Sequence, residues 1–264
     1  MKLTFIGTGS AFTLNNYQSN MILTADDGDI LLIDCGADAR FALRDLGLTY
    51  KNIESVYISH LHSDHVGGLE WLGFTRKFDP SGRKPHMYIS RYIKSELWST
   101  VLSGGMLSLQ GEVADLDTYF DVHSIGKNQG FTWKNVEFQL VQAVHIMSGF
   151  HIVPSFGLLF EINGMKTFLT TDTQFSPAQI TEFYKRADLI FHDCETTPFH
   201  SNVHAHYDQL RTLPLDTKQK MWLYHYQDGV LPDAQADGFA GFVQRGQTFD
   251  FAHLEPFSPV KQTA

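Results

Sequence analysis

At positions 59–65 the chain reads Ser59-His60-Leu61-His62-Ser63-Asp64-His65, directly after a predicted strand at residues 53–59. Side chains alternate along an extended chain, so His60 and His62 point the same way. Asp64 and His65 lie further round the turn. Imidazole and carboxylate groups together suit a divalent transition metal. The stretch therefore predicts a metal site in which the first pair binds one ion and the second pair reaches another.

Strands and helices alternate on both sides of this motif. The pattern predicts strands at residues 3–6, 20–24, 30–33, 53–59, 86–89, 136–144, 157–162, 167–170, 189–192 and 221–225. It predicts helices at 37–46, 68–77, 92–102 and 177–185, and Ser103, Gly104 and Gly105 are expected to end the third helix. Two β-rich halves with outer helices and no linker between them predict one α/β domain over residues 1–264.

Composition narrows the classes of partner. The 264 residues carry a formal net charge of -9, and no run of Lys or Arg forms a basic patch. Nucleic-acid binding is disfavoured because its affinity comes mainly from Lys and Arg contacts to phosphate. Two Cys make no disulfide framework. No apolar run is long enough for a membrane span or a signal peptide, so we expect a cytoplasmic protein with no membrane partner.

The motif His60-x-His62-x-Asp64-His65 resembles the hallmark of the metallo-β-lactamase superfamily. The opening Gly7-Thr8-Gly9-Ser10-Ala11 and the stretch Leu32-Ile33-Asp34-Cys35-Gly36 are similar to it as well. The resemblance extends from about residue 1 to beyond His225. It implies a four-layer αββα sandwich, whereas periodicity alone supports only an α/β fold.

The resemblance also implies three further metal ligands, each after a later strand. They are His145, Asp172 and His225. His60, His62 and His145 would hold one ion, Asp64, His65 and His225 would hold the other, and Asp172 would bridge the two. The ions would be divalent, with Zn favoured and Mn or Fe as alternatives, because His and Asp sites accept all three.

Two ions that share a carboxylate predict a hydrolase. A water that bridges them loses a proton easily, because metal coordination lowers its pKa towards neutrality. The resulting bridging hydroxide would attack an electrophile. Asp64 is accordingly expected to be catalytic as well as a ligand. A single-iron dioxygenase of the same superfamily keeps the same motif, but the sequence carries no mark of that activity.

Later motifs resemble the ribonuclease Z-like phosphodiesterase branch. The stretch 188–196 looks like its His-Glu-Ala-Thr motif, with Asp193 at the acidic position and Glu195 competing for that role. His204 aligns with the catalytic His of the branch, and His206 is the alternative. That His would protonate the leaving alkoxide, and the carboxylate would orient its ring.

The expected substrate is a small phosphodiester or a cyclic phosphate. The segment from His145 to Asp172 has room only for a loop and two short strands, so the tRNA-gripping arm of ribonuclease Z is missing and tRNA is an improbable substrate. A thioesterase or lactonase of the same fold is the first alternative, and a non-catalytic metal-binding protein is the second. The sequence leaves the oligomeric state open, with a homodimer as one possibility.

Overall fold

A computed structural model describes residues 1–255 of the chain. The strands are, in chain order, β1 (Lys2–Phe5), β2 (Met21–Thr24), β3 (Ile30–Ile33), β4 (Ile53–Ile58), β5 (His86–Ser90), β6 (Ser108–Leu109), β7 (Glu112–Val113), β8 (Asp121–Ile125), β9 (Gly130–Trp133), β10 (Val136–Ser148), β11 (His151–Ile162), β12 (Met165–Leu169), β13 (Leu189–Asp193), β14 (Met221–Tyr224), β15 (Gly241–Phe242) and β16 (Thr248–Asp250).

The helices lie between these strands and are mostly short. They are α1 (Ala39–Asp45), α2 (Ser63–Val66), α3 (Leu69–Lys77), α4 (Arg91–Glu96), α5 (Ser103–Met106), α6 (Leu116–Tyr119), α7 (Pro177–Arg186), α8 (Tyr207–Leu210) and α9 (Leu215–Lys218), with a 3₁₀ turn at Tyr50–Asn52 and a π-helical segment at Leu97–Leu102. Helix α7 begins with a proline at its first turn, where the missing N–H costs no hydrogen bond. Within the described range, no helix combines the length and apolarity that a bilayer crossing requires.

Two seven-stranded sheets form the centre of the molecule. Sheet A has the order β16-β1-β2-β3-β4-β5-β8, and sheet B has the order β15-β14-β13-β12-β11-β10-β9. In each sheet an antiparallel part continues into a parallel part, from β3 to β8 in sheet A and from β12 to β15 in sheet B. Every residue of β3 is buried, as expected for a strand covered on both faces.

Three apolar cores separate four layers. The central core packs sheet A against sheet B and includes Leu3, Phe5, Phe138, Phe191 and Tyr224. A second core lies between sheet A and helices α1 to α6, and a third lies between sheet B and helices α7 and α8. This is the αββα order that the resemblance implies. Residues 256–264 of the expected 1–264 domain lie outside the described residues.

The structure corrects two expectations about local structure. Ser103, Gly104 and Gly105 do not end the helical run, because α5 follows the π-helical segment and reaches Met106. Met106 is fully buried and its carbonyl accepts a hydrogen bond from the Tyr119 hydroxyl, so tertiary packing outweighs the low helix propensity of glycine.

The second correction concerns the segment between His145 and Asp172. The structure shows a long antiparallel hairpin, in which β10 has 13 residues and β11 has 12, instead of a loop and two short strands. Gly149 and Phe150 make the turn between them. The segment still contains no arm beyond this hairpin, because β12 follows β11 after a two-residue turn.

Candidate metal centre

The first four expected ligands lie just after strand β4 of sheet A. Ser59 and His60 follow the last residue of the strand, and His62 is the N-cap residue of α2. Asp64 and His65 are successive residues of this four-residue helix. Both side chains are buried, and each approaches a residue that follows a strand of sheet B: His65 approaches Asp172 and Asp64 approaches His225, both at 3.4 Å.

The other three expected ligands come from the ends or irregularities of strands in sheet B. The sequence pattern predicts His145 directly after its strand. In the structure it lies within β10, at a register shift between Val144 and Ile146. A bulge of this kind re-aims the side chain of the extra residue. Asp172 follows β12 and His225 follows β14. Strands β12, β13 and β14 are parallel, and β10 runs in the same direction because two antiparallel pairings separate it from β12. The three side chains therefore lie at the same edge of the sheet.

Left-handed backbone recurs at this edge. Asp34, Thr171 and His225 have φ values of 60°, 53° and 67°. This region is unfavourable for residues with a Cβ, and especially so for the β-branched Thr171. Such strain persists only where surrounding contacts hold it, and it is concentrated in functional sites. Here the backbone N–H of His225 donates to the Thr8 carbonyl, which fixes the turn after β14.

The first group of donor atoms has the dimensions of a metal site. His62 Nδ1 lies 3.1 Å from His60 Nε2 and 2.9 Å from His145 Nε2. Asp172 Oδ2 lies 3.7 Å from His60 Nε2 and 3.7 Å from His145 Nε2. Metal–nitrogen bonds of 2.0–2.1 Å in a tetrahedron place ligand atoms about 3.3–3.4 Å apart. The four donors surround a volume that fits one ion.

The donor atoms of the second group also have the spacing of a metal site. Asp64 Oδ2 lies 3.1 Å from His65 Nε2 and 3.4 Å from His225 Nε2. Asp172 Oδ2 lies 3.4 Å from each of these two nitrogens. The structure thus brings all seven expected ligands together in two sets of four, which share Asp172.

Unpaired polar atoms in the described residues support a cation at this place. Asp172 Oδ1 and His65 Nε2 are buried and have no hydrogen-bond partner. An unsatisfied buried polar atom of this kind costs roughly 1–3 kcal/mol, and more for a charged group. A divalent ion among these carboxylates and imidazoles would remove that cost.

Hydrogen bonds behind the ligands fix which ring nitrogen faces the centre. His145 Nδ1 donates to the Val203 carbonyl over 2.8 Å, which leaves Nε2 with a free lone pair. The Ser59 hydroxyl donates to Asp34 Oδ2 over 2.6 Å and can therefore accept from His60 Nδ1 over 3.0 Å. Outer contacts of this type set the tautomer and orientation of metal-binding histidines.

Asp34 is a residue whose position in the site the sequence reasoning missed. Its Oδ2 accepts from His65 Nδ1 over 2.7 Å, and its Oδ1 accepts from the backbone N–H of Ser59 over 2.8 Å. It thereby joins the end of β3 to the metal-binding turn. The signal for it in the sequence is an acidic residue directly after the fully apolar strand Ile30–Ile33.

The electrostatics favour neutral imidazoles in the first group. Burial lowers the pKa of His60 well below its ordinary value, lowers that of His62, and lowers that of His145 to about 4. Burial would raise the pKa of Asp172, but His225 and His65 beside it hold the pKa well below its usual range. Neutral nitrogens and an ionised carboxylate are the forms that bind a metal ion.

His65 differs from the histidines of the first group. Burial lowers its pKa, but the carboxylates of Asp172, Asp64 and Asp34 outweigh that effect and raise the pKa well above the ordinary value. Without a metal, His65 therefore keeps a proton among three carboxylates. A cation at the position of that proton would meet the same negative charges.

His204 and Asp193 form a pair beside the second group. His204 Nδ1 lies 2.8 Å from Asp193 Oδ2. The His204 ring stacks on that of His225 at 4.5 Å, and its side chain is 15 % exposed. Burial lowers the pKa of His204, but the Asp193 carboxylate outweighs burial and raises the pKa to about 9. The ring is therefore positively charged at neutral pH.

Glu195 and His206, the alternatives to Asp193 and His204, have other contacts. Glu195 Oε2 accepts from the backbone N–H of Ser201 over 2.9 Å. His206 caps helix α8 through the Asp208 N–H and donates from Nε2 to the Thr197 carbonyl over 2.8 Å. The geometry therefore places His204, and not His206, with a carboxylate at the centre, and that carboxylate belongs to Asp193.

Comparison with known proteins gives a family match and a fold match. The family model described as "Anti-Pycsar protein Apyc1" matches residues 1–249. The Anti-Pycsar protein Apyc1 of Bacillus phage vB_BsuM-Goe3 is 31% identical over 255 residues, covering 93% of this chain and 96% of the relative.

Among solved structures, the metallo-β-lactamase fold protein YhfI from Bacillus subtilis superposes with a TM-score of 0.71 at 17% identity, covering 94% of this chain and 98% of the other. The short form of human tRNase Z gives a TM-score of 0.68 at 18% identity, with coverages of 95% and 99%. These neighbours confirm the expected metallo-β-lactamase fold, and one of them is a tRNase Z.

Proposed function

The chain belongs to the Anti-Pycsar protein Apyc1 family, and from this membership and the geometry of the centre we propose that it hydrolyses cyclic nucleotides. In this proposal two divalent ions, most simply Zn²⁺, occupy the two groups that share Asp172. The reaction adds water across the phosphodiester bond and opens the ring to a linear phosphomonoester.

The observation that carries the proposal is the pair formed by His204 and Asp193. Ring opening releases a ribose alkoxide, which is a poor leaving group unless a proton reaches its oxygen. Without bound metal, the Asp193 carboxylate outweighs burial and raises the pKa of His204 to about 9, and it accepts from His204 Nδ1 over 2.8 Å, so the pair favours a protonated ring. Its Nε2 is then free to donate to the departing oxygen. General-acid catalysis of this kind contributes typically about 10²–10⁴ in rate.

The charges around the centre also suit an anionic substrate. Within residues 1–255, the ion pairs of Asp64, Asp172 and Asp193 involve only histidines. The negative charge of a phosphodiester would therefore meet the His204 imidazolium and the bound ions. Divalent ions in the two groups would polarise the phosphate and supply a deprotonated water as the nucleophile.

A substrate panel tests the proposal. Purified protein is offered 3′,5′-cyclic nucleotides, bis-p-nitrophenyl phosphate, a thioester and a lactone, and product formation is followed by chromatography. We expect cyclic nucleotides to give the highest kcat/KM, with weak or no cleavage of the two carbonyl substrates. The Asp172→Asn variant serves as a control for contaminating enzymes and should be inactive throughout. Preferred cleavage of the thioester or lactone would overturn the proposal.

A further inference from the structure

A second cluster of metal-ligand atoms lies on sheet A, apart from the candidate centre. It consists of His86, Asp121 and His123, and all three side chains are exposed, at 46%, 56% and 44%. The centre follows the last residue of β4, whereas His86 and Asp121 are the first residues of β5 and β8. The Cα partner of His86 on β4 is Ser55, four residues before Ser59. At about 3.3 Å per residue, the cluster lies on the order of 13 Å or more from the centre along the strands.

The register of two strands brings the three side chains to one face. His86 of β5 is the Cα partner of Asp121 on β8, and Tyr88 is the partner of His123. Residues two apart on a strand share a face, so Asp121 and His123 lie on the same side as His86. The His123 ring stacks on Tyr88 at 5.0 Å, and this contact limits its rotation.

The donor atoms have the spacing found in the centre itself. His86 Nδ1 lies 2.8 Å from Asp121 Oδ2 and 3.1 Å from His123 Nε2. His123 Nε2 lies 3.4 Å from Asp121 Oδ2. Tetrahedral coordination by imidazole and carboxylate requires about 3.3–3.4 Å between ligand atoms. The cluster therefore provides three convergent donors and leaves a fourth position that solvent can fill.

We propose that His86, Asp121 and His123 bind a further divalent transition-metal ion such as Zn²⁺, separate from the catalytic centre. The ion would link β8, the edge strand of sheet A, to its neighbour β5. Edge strands are the least restrained strands of a sheet, so a cross-strand ion would reduce opening at this edge.

Metal counting tests this proposal. Protein stripped with a chelator is dialysed against excess Zn²⁺, and bound metal is measured by elemental analysis. We expect the double variant H86A/H123A to hold one equivalent less than the wild type. The control variant His151→Ala, which removes an exposed histidine outside every metal-ligand cluster of the described residues, should hold the wild-type amount.

A second measurement guards against a folding artefact. The variant Asp121→Asn keeps the size of the side chain and should fold normally, but loses the charge. Titration calorimetry should show that the weaker class of Zn²⁺ sites loses at least tenfold in affinity, while cyclic-nucleotide hydrolysis stays unchanged. Equal metal content in the wild type and the double variant would overturn the proposal. This result would leave the proposed activity untouched, since the substrate panel tests the activity independently.

Discussion

At the scale of single residues, the expected metal ligands are distinct from the proposed proton donor. His204 is not among the seven expected ligands, yet its ring lies 4.5 Å from that of His225. Its carboxylate partner, Asp193, also approaches His225 Nδ1 at 3.4 Å. One buried carboxylate thus orients the proposed proton donor and lies beside an expected metal ligand.

The variant His204→Ala tests this division of roles. We expect metal content and fold to be unchanged, because His204 lies outside the two groups of ligands. With a cyclic nucleotide, kcat should fall about 10²–10⁴-fold, since the proton is needed only in the transition state. With bis-p-nitrophenyl phosphate the loss should be small, because p-nitrophenolate departs without a proton. Steady-state kinetics on both substrates measures the difference, and an equal loss on both would assign His204 to substrate binding instead.

The first four expected ligands could be predicted because they lie within six residues and their residue types are rare in combination, whereas His145, Asp172 and His225 lie far along the chain and are implied only by the family resemblance. The choice between Asp193 and Glu195 could not be predicted, because both are buried acids two residues apart. Only the course of the chain after β13 decides which of them faces His204. The same holds for His204 and His206, whose contacts diverge at the start of α8.

At the scale of strands and helices, Phe191 shows how the elements are held together. It lies on β13 and is fully buried, with ring centroids of Phe5 at 5.0 Å and Phe249 at 4.7 Å. These partners belong to sheet A, so the ring fills space between the two sheets.

Replacing Phe191 by Ala should therefore destabilise the protein strongly. The lost transfer free energy and the cavity together should lower the free energy of unfolding by about 3–5 kcal/mol. Denaturant unfolding followed by circular dichroism measures this change. Phe150→Ala is the matched control, because Phe150 is fully exposed at the hairpin turn and its removal should change stability by less than about 0.5 kcal/mol. A similar effect of both variants would contradict the central role of this core.

Strand prediction succeeded where burial gives a clear signal and failed where it does not. The central strands β3, β4 and β13 are almost wholly buried, and the pattern predicts each within one residue. The pattern does not predict β8, because its sequence Asp-Val-His-Ser-Ile is largely exposed at the edge of sheet A. It also ends β10 four residues early, since the bulge at His145 interrupts the alternation of apolar residues.

At the scale of the whole molecule, charge and shape bear on the choice of substrate. The formal net charge is -9, and the hairpin of β10 and β11 takes the place where an arm for tRNA would be inserted. Neither feature favours a long polyanion such as tRNA as the substrate. A small substrate needs only the few charges of the centre.

Precursor tRNA should accordingly be a poor substrate. We expect no cleavage at its 3′ end at moderate salt under conditions where a cyclic nucleotide is fully hydrolysed. Gel analysis of labelled precursor tRNA measures this, with an authentic ribonuclease Z as the positive control. Salt is included because binding that depends on phosphate contacts weakens steeply as salt rises. Efficient cleavage would show that an acidic surface without an arm suffices for tRNA.

The origin of the expected ligands in two different sheets would link the folding of this protein to metal supply once the proposed ions bind. Sheet A and its following turn provide His60, His62, Asp64 and His65, and sheet B provides His145, Asp172 and His225. Only the folded chain assembles these groups, so ions that bind there shift the folding equilibrium. Each tenfold rise of free metal above the dissociation constant of a site adds about 1.4 kcal/mol to the free energy of unfolding. A cell poor in such ions would therefore hold fewer folded copies, and not merely the same number of inactive ones.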